Sequence, residues 1–284
     1  MKILVTGAKG QLGYDVCRIL SARGIEHIGT DLGDFDITDR QATLDFITFH
    51  RPDAVIHCSG YTAVDKAEDE ADVCFAVNAD GTRHVAEAVA AVGAKMMYIS
   101  TDYVFDGTGS HFHQPDDPTA PLSVYGRSKL IGEKHVAEIL QNYFIVRISW
   151  LFGINGSNFV NTMLRLSETR DELNVVNDQI GSPTYSYDLA RLLCDMIVTE
   201  KYGIYHATNE GICSWAELAS MTMQLGGRPT HINPIPSSEY PTKAKRPLNS
   251  RLSKEKLSEA GFLRLPDWKD ALARYLEERK ERGL

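Results

Sequence analysis

A chain of 284 residues that is 43% hydrophobic and 24% charged, with 22 Gly and 11 Pro, has the balance of an ordinary globular protein, which excludes a disordered or collagen-like chain. Its 30 Lys and Arg against 38 Asp and Glu leave a net charge of −8, so it offers no general basic surface to nucleic acid. The length suits one large domain or two intimate ones and can bury a core without a metal or disulfide staple. The five cysteines, Cys17, Cys58, Cys74, Cys194 and Cys213, never form a CxxC pair and sit among apolar neighbours, which predicts buried free thiols in a reducing compartment. The N-terminus MKILVTG reads as a first strand and not as a signal peptide, and no stretch approaches the roughly 18 apolar residues of a membrane span. The expected location is the cytoplasm, with no membrane partner.

In chain order, short apolar runs alternate with amphipathic stretches. Lys2–Thr6, His27–Asp31, Ala54–Cys58, Met96–Thr101 and Phe144–Ile148 are strand-like, and Leu12–Ser21, Asp39–His50, Asp72–Val92 and Val124–Leu140 carry apolar residues at helical spacing. This alternation predicts an α/β fold with a Rossmann-like, doubly wound parallel sheet. Beyond about residue 150 the pattern loosens into a helix (Asn158–Ser167), a strand (Leu173–Val176), a helix (Tyr187–Val198), a strand (Gly203–Ala207) and a helix (Trp215–Leu225). A Pro-rich stretch, Pro229–Pro247, and terminal helices around Ser253–Ala260 and Trp268–Arg279 complete the chain. Tyr240, Lys243, Lys245 and Arg246 within that stretch leave open whether it is a linker or a substrate-gripping loop. The predicted organisation is a dinucleotide-binding unit over 1–152, rejoined by about 184–213, and a smaller mixed α/β substrate unit over 153–284.

The first strand runs into Gly7-Ala8-Lys9-Gly10-Gln11-Leu12-Gly13. Glycines there permit a tight turn and let N–H groups at a helix N-terminus approach a pyrophosphate. The second strand ends in Asp31, at the distance where a carboxylate accepts the adenosine ribose hydroxyls, a rule that favours NADH over NADPH; an N-cap or turn role is the plain alternative. Asp36 and Ile37 suit the edge and face of an adenine. Cys58-Ser59-Gly60-Tyr61-Thr62 gives a small-residue exit from the third strand, under the cofactor ribose and phosphates, and Asn78 reads as an interior polar anchor.

Tyr125-Gly126-Arg127-Ser128-Lys129 is the one YxxxK of the chain. Among 12 tyrosines the spacing alone proves little, but its place does more: it opens the helix after the fourth strand, and an i, i+4 pair shares one helix face. An ammonium beside a phenol stabilises phenolate and makes the hydroxyl a proton donor near neutrality. Thr101, at the C-terminal end of the fourth strand, is placed to hydrogen-bond a carbonyl oxygen and to strengthen that bond as charge develops.

These residues resemble the extended short-chain dehydrogenase/reductases, and closely their dTDP-4-dehydrorhamnose reductase branch. The resemblance spans essentially the whole chain. It includes the string Ser100 to Gly107, Ala120 to Gly126, Lys129 to Glu133, Arg147 to Trp150, Asn177-Asp178-Gln179 with Gly181 to Thr184, and Arg246 to Leu252. It implies hydride transfer from NADPH or NADH to C4 of a dTDP-bound 4-keto-6-deoxy-L-hexose, the last step in making dTDP-L-rhamnose. Mapped residue by residue, Thr101, Tyr125 and Lys129 are catalytic. Gly7, Gly10, Gln11, Leu12, Asp31, Asp36, Ile37, Gly60, Tyr61, Thr62, Tyr125 and Lys129 hold the cofactor, and Thr101, Asp102, Trp150, Arg246 and Arg251 touch the sugar nucleotide. Trp150 as an aromatic closing the core, and both arginines as structural, stay open as alternatives. Some members hold magnesium between subunits with three glutamates; the matching positions are Asp15, Tyr187 and Glu278, and a tyrosine there predicts no metal and argues against a homodimer formed by that route. The resemblance also carries a functional link to a 3,5-epimerase.

A 4,6-dehydratase would place Asp-Glu after the threonine, where this chain has Asp102-Tyr103, and a C4 epimerase carries a Ser-rich run at the fourth strand. Two alternatives remain, a reductase of another nucleotide-linked 4-keto-6-deoxy sugar and a non-catalytic cofactor-binding regulatory subunit.

Overall fold

The structure is a computed structural model that describes residues 1–284. The first half lays down β1 (Lys2–Thr6), α1 (Gln11–Ala22), β2 (Glu26–Thr30), α2 (Arg40–His50), β3 (Ala54–His57), the short helices α3 (Val64–Ala67) and α4 (Ala71–Phe75), α5 (Thr82–Val92), β4 (Lys95–Thr101), α6 (Val124–Ile139) and β5 (Tyr143–Ile148). Then come β6 (Leu151–Phe152), α7 (Phe159–Leu166), β7 (Glu172–Val176), β8 (Ile180–Gly181), β9 (Thr184–Tyr185), α8 (Ser186–Ile197) and β10 (Gly203–His206). The chain ends with β11 (Cys213–Ser214), α9 (Trp215–Leu225), β12 (His231–Ile235), β13 (Asn249–Ser250), α10 (Glu255–Glu259) and α11 (Trp268–Glu281).

The central sheet has six strands in the order β10-β5-β4-β3-β1-β2, every pair parallel. A parallel sheet is covered on both faces, and the near-continuous apolar strands already encode this. Ile3 and Val5 of β1 point into a core shared with α1 and α8, whereas Leu4 between them joins Val85, Val89 and Val136 of α5 and α6 on the other face. The chain reverses its winding between β1 and β3, the crevice where doubly wound sheets take ligands. The C-terminal half adds small sheets, β11-β8-β13 and β12-β7, packed under α7 and α9. No helix is long and apolar enough to cross a membrane.

Two departures from the sequence reading have local causes. The continuous helix expected over Asp72–Val92 is broken: α4 widens into a π-helical turn over Ala76–Gly81 before α5 begins. Asn78 sits in that turn, where its amide bonds the backbone N–H and C=O of Tyr61 (2.8 and 3.0 Å) and the Ser128 hydroxyl (3.0 Å). It is an interior anchor, but its partners are the exit loop of β3 and α6. Within the Pro-rich stretch, His231–Ile235 forms β12 against β7, with Pro234 tolerated because that strand is an edge. All five cysteines are free; Cys74, Cys194 and Cys213 are buried, but Cys17 and Cys58 are only partly so.

Helix α6 is fixed at its start by the buried Ser123 hydroxyl, which accepts the Gly126 N–H (3.1 Å), and pressed onto β4 at Gly132. A Cβ at Gly132 would lie 2.5 Å from Tyr98 Oη and 2.6 Å from the Asn78 carbonyl. Neither neighbour is free to move, so Gly132→Ala is expected to cost about 1–3 kcal/mol of stability, as other overpacked cores do. Thermal and urea unfolding check this, and an unchanged midpoint would show that α6 has slack at that contact.

Candidate active site

The first strand ends in Gly7 at φ +67°, and a Cβ there would stand 2.8 Å from the Ser59 amide nitrogen. Only glycine meets both conditions. The turn leaves Gly10 as the N-cap of α1, and Gly10 shapes the turn without lining a cavity. Two cavities share the wall made by Cys58, Ser59 and Gly60. One, of about 280 Å³, is lined by Gly7, Asp31, Phe35, Asp36 and Ile37. The other, of about 420 Å³, brings together Gln11, Leu12, Thr62, Thr101, Asp102, Tyr125, Lys129, Trp150 and Arg246. Residues from seven separate stretches of sequence thus meet along one crevice.

Within the larger cavity, Thr101 ends β4 and donates from Oγ1 to Asp102 Oδ1 (3.0 Å). Asp102 is 2% exposed and its other oxygen has no hydrogen-bond partner, so burial raises its carboxyl to about 6. Tyr125, in the first turn of α6, packs edge-on to Tyr103 (5.5 Å), and burial pushes its phenol up, offset in part by the Thr101 hydroxyl. Lys129, one turn on, is buried with Nζ 4.1 Å above the Tyr98 ring. Burial lowers it to about 7, and the nearby Glu133 opposes that shift. Glu133 itself is committed: Arg147 grips it with Nε (2.9 Å) and an η nitrogen (2.7 Å), and Ser100 donates to it at 2.5 Å.

The opposite wall is aromatic. Trp150 takes a left-handed backbone conformation, φ 51°, and its ring stacks on Trp215 at 3.8 Å and 15°. Trp215 is held in turn by Phe159 (4.6 Å) and by its indole N–H to Gln179 Oε1 (3.1 Å). Sequence reasoning missed Trp215 and Tyr103. Trp215 opens a helix 65 positions after Trp150, and nothing in the spacing of the two predicts their stacking.

Two expected contact residues lie outside the cavity lining. Tyr61 lines neither cavity: its hydroxyl donates to Glu70 (2.8 Å), and its backbone N–H and C=O are both bonded to Asn78. Arg251 turns back to Asn249 Oδ1 (2.9 Å) and lies outside the lining, whereas Arg246 is part of it. Asp31 lines the smaller cavity, where each of its oxygens accepts one N–H, from Lys9 and Leu32 (2.9 Å each), and keeps a lone pair for a ligand hydroxyl.

The residues fit a dinucleotide. A glycine-only turn at a helix N-terminus, carboxylates at the far end and a buried lysine without a counter-ion at the near end are the donors and acceptors such a molecule needs. They do not fit magnesium at the second place the sequence raised. The Arg18 guanidinium lies between Glu278 (2.6 Å) and Asp15 (3.5 Å) and over the Tyr187 ring (4.8 Å), and Arg282 adds a further bond to Glu278. The positive charge that these carboxylates call for is already supplied by the chain.

His111, His113 and Asp117 form one further group, with ligand atoms within 4.8 Å of one another. His113 stacks on Phe105 (4.3 Å), and its Nε2 faces the Asn249 amide donor (3.5 Å). That amide nitrogen donates its two hydrogens to the Thr108 and His111 carbonyls (3.2 and 2.9 Å), so the group clasps this loop to β13.

Comparison with known proteins agrees with this geometry. The family model described as the RmlD substrate binding domain matches residues 1–281. The spore coat polysaccharide biosynthesis protein SpsK of Bacillus subtilis is 42% identical over 278 residues, covering 98% of each chain. The dTDP-4-dehydrorhamnose reductase of Streptomyces griseus is 42% identical over 276 residues, 95% of this chain and 91% of that one. The Bacillus anthracis dTDP-4-dehydrorhamnose reductase, solved in complex with NADP, superposes with a TM-score of 0.95 at 41% identity, over 98% of this chain and 99% of its own.

Burial of Lys129 gives a test of the electrostatics. Below about pH 7 the lysine is charged in both folded and unfolded chains, so the folded state carries the full desolvation penalty. Above that pH the folded form sheds its proton first and the penalty is relieved. Lys129→Met is therefore expected to raise the melting temperature at pH 6 and to lose that advantage steadily toward pH 10. A gain independent of pH would contradict the buried-charge account.

Proposed function

The chain belongs to the RmlD substrate-binding-domain family, and on that premise we propose that it reduces the C4 keto group of dTDP-4-dehydro-6-deoxy-L-mannose to give dTDP-L-rhamnose, the last step of that sugar's synthesis. The observation that carries this reading is the gathering of Thr101, Tyr125 and Lys129 on one wall of a cavity faced by the Trp150–Trp215 stack. The reaction is an oxidoreductase step that needs a hydride, which NADPH or NADH supplies when bound.

The chain's own residues supply the rest. Tyr125 delivers its proton to the C4 oxygen, and Lys129 stabilises the phenolate left behind. Thr101 turns its hydroxyl from Asp102 to the same oxygen, and that bond strengthens as negative charge grows there. Asp102 Oδ2, buried without a partner, accepts from a sugar hydroxyl. Trp150 lines the cavity and contacts the sugar, and Arg246 pairs with the diphosphate.

Gly7, Gly10, Gln11, Leu12, Asp31, Asp36, Ile37, Gly60 and Thr62 hold the dinucleotide, joined by Lys129. The cofactor residues thus fall within 1–152, the unit rejoined by about 184–213, and the substrate unit over 153–284 contributes Arg246 and the Trp215 wall to the sugar-nucleotide side. Asp31 keeps acceptor capacity for a ribose hydroxyl and favours NADH, since each oxygen takes only one N–H, and the relative solved with NADP supports acceptance of NADPH as well. Five free thiols support a cytoplasmic enzyme. We place it downstream of a 3,5-epimerase, and any homodimer forms without the magnesium contact.

The test follows nicotinamide absorbance with dTDP-4-keto-6-deoxyglucose, with and without a 3,5-epimerase. Oxidation is expected only with the epimerase, and Tyr125→Phe is expected to lower kcat by about 10²–10⁴ while dinucleotide binding persists. Binding without oxidation of either nicotinamide in any combination would replace this reading with a regulatory cofactor-binding role.

A further inference from the structure

Arg246 reaches the active cavity from the strap between β12 and β13, a segment tied to the body of the protein at both ends. Asp178 accepts the Ser237 N–H (2.9 Å) at one end, and Asn249 donates its N–H to the Gly107 carbonyl (2.9 Å) at the other. Between them the strap meets the opposite side of the cleft through two aspartates. Asp65, on α3, accepts an Arg246 η nitrogen through Oδ2 (2.7 Å) and the Ala244 N–H through Oδ1 (3.1 Å), and Asp69 pairs with Lys243. Helix α3 follows Gly60 and Thr62, which line the same cavity as Arg246.

We propose that Asp65 is the positioning residue for Arg246, holding its guanidinium at the cavity mouth so that its remaining N–H groups meet the diphosphate of the incoming nucleotide. This rests on the reductase reading for the identity of the ligand. A free arginine side chain surrenders much of its rotamer freedom on binding an anion. Here the carboxylate fixes one nitrogen and the neighbouring backbone N–H together, so that freedom is lost before the ligand arrives. The Arg246 Nε–H is buried without a hydrogen-bond partner, a donor whose desolvation is recovered only when an acceptor enters. Arg246 lines both the catalytic cavity and the adjoining one of about 620 Å³ that runs past Trp215 toward β7 and Tyr240. It therefore stands where the sugar end and the nucleoside end of a long ligand meet.

The experiment is a double-mutant cycle on the intact enzyme, using Asp65→Asn, Arg246→Ala and the pair together. Asp65→Asn is expected to raise KM for the dTDP-sugar and Kd for dTDP by about fivefold or more, with kcat and Kd for NADPH within about twofold of wild type. Asp65→Glu is expected to recover part of the loss. Because Asp65 acts through Arg246, the double variant should bind no worse than Arg246→Ala alone. Unchanged KM and dTDP affinity in Asp65→Asn, or losses that multiply in the double variant, would overturn the proposal. Absence of turnover in the wild type would sink the reductase reading instead, and dTDP titration would still decide the role of Asp65.

Discussion

The buried pair of Glu133 and Arg147 is the contact on which the active site depends. It joins the middle of α6 to β5, and through the Ser100 hydroxyl it reaches β4 one residue before Thr101. Arg147 also donates to the Pro115 carbonyl (2.9 Å), which ties in the loop that leads to α6. The two charges are 3–5% exposed, and at such burial the attraction roughly repays desolvation. Its value is geometric: removing one partner leaves a naked charge at a cost of about 3–5 kcal/mol, so α6 has one register against the sheet. That register sets Lys129 and Tyr125, one and two turns before Glu133, opposite Thr101.

Around this fixed wall the chain departs from ordinary preferences where ligands are to be held. Gly7 takes a positive φ with no room for a side chain because the two strands at the switch point close on each other. Trp150 accepts a left-handed backbone that costs a large residue about 1–3 kcal/mol, and the stack on Trp215 together with the packing of its ring on Gly181 keeps it there. The π-helical turn at Asn78 trades regular hydrogen bonding for a side-chain grip on the Tyr61 backbone and Ser128. Each irregularity borders the crevice, and the sheet beneath it is regular.

How much of this was legible in the sequence follows from how local each cause is. Strands β1 and β3 to β5 read correctly because parallel strands buried on both faces are continuous apolar runs, and α6 read correctly because its apolar spacing and its YxxxK are local signals. The π-helical turn did not, since its cause is Tyr61, 17 positions away. Strand β12 was hidden by Pro234, which reads as a breaker until the strand is known to be an edge. The orientation of Arg251 was hidden for a related reason: a motif places an arginine near a site, but only Asn249 decides which way it points. Arg18 shows the same limit, because its two carboxylate partners lie 3 and 260 positions away, and the charge it provides is invisible without the fold.

The free protein leaves the crevice electrostatically incomplete. Lys129 is buried over a ring with no carboxylate partner, Asp102 and Arg246 each keep a buried atom without a hydrogen bond, and the Thr101 hydroxyl points to Asp102 in place of a substrate. Each of these depresses the stability of the free fold. The Glu133–Arg147 pair nearby shows that the same fold satisfies buried charges fully where no ligand is to come. The contrast separates the scaffold from the site: groups with every partner in the chain hold the geometry, and groups lacking one partner define the charge pattern a ligand must bring. That pattern, an acceptor for an ammonium, an acceptor for a guanidinium, and a hydroxyl donor for a carboxylate, is the outline of a dinucleotide and a sugar diphosphate lying side by side.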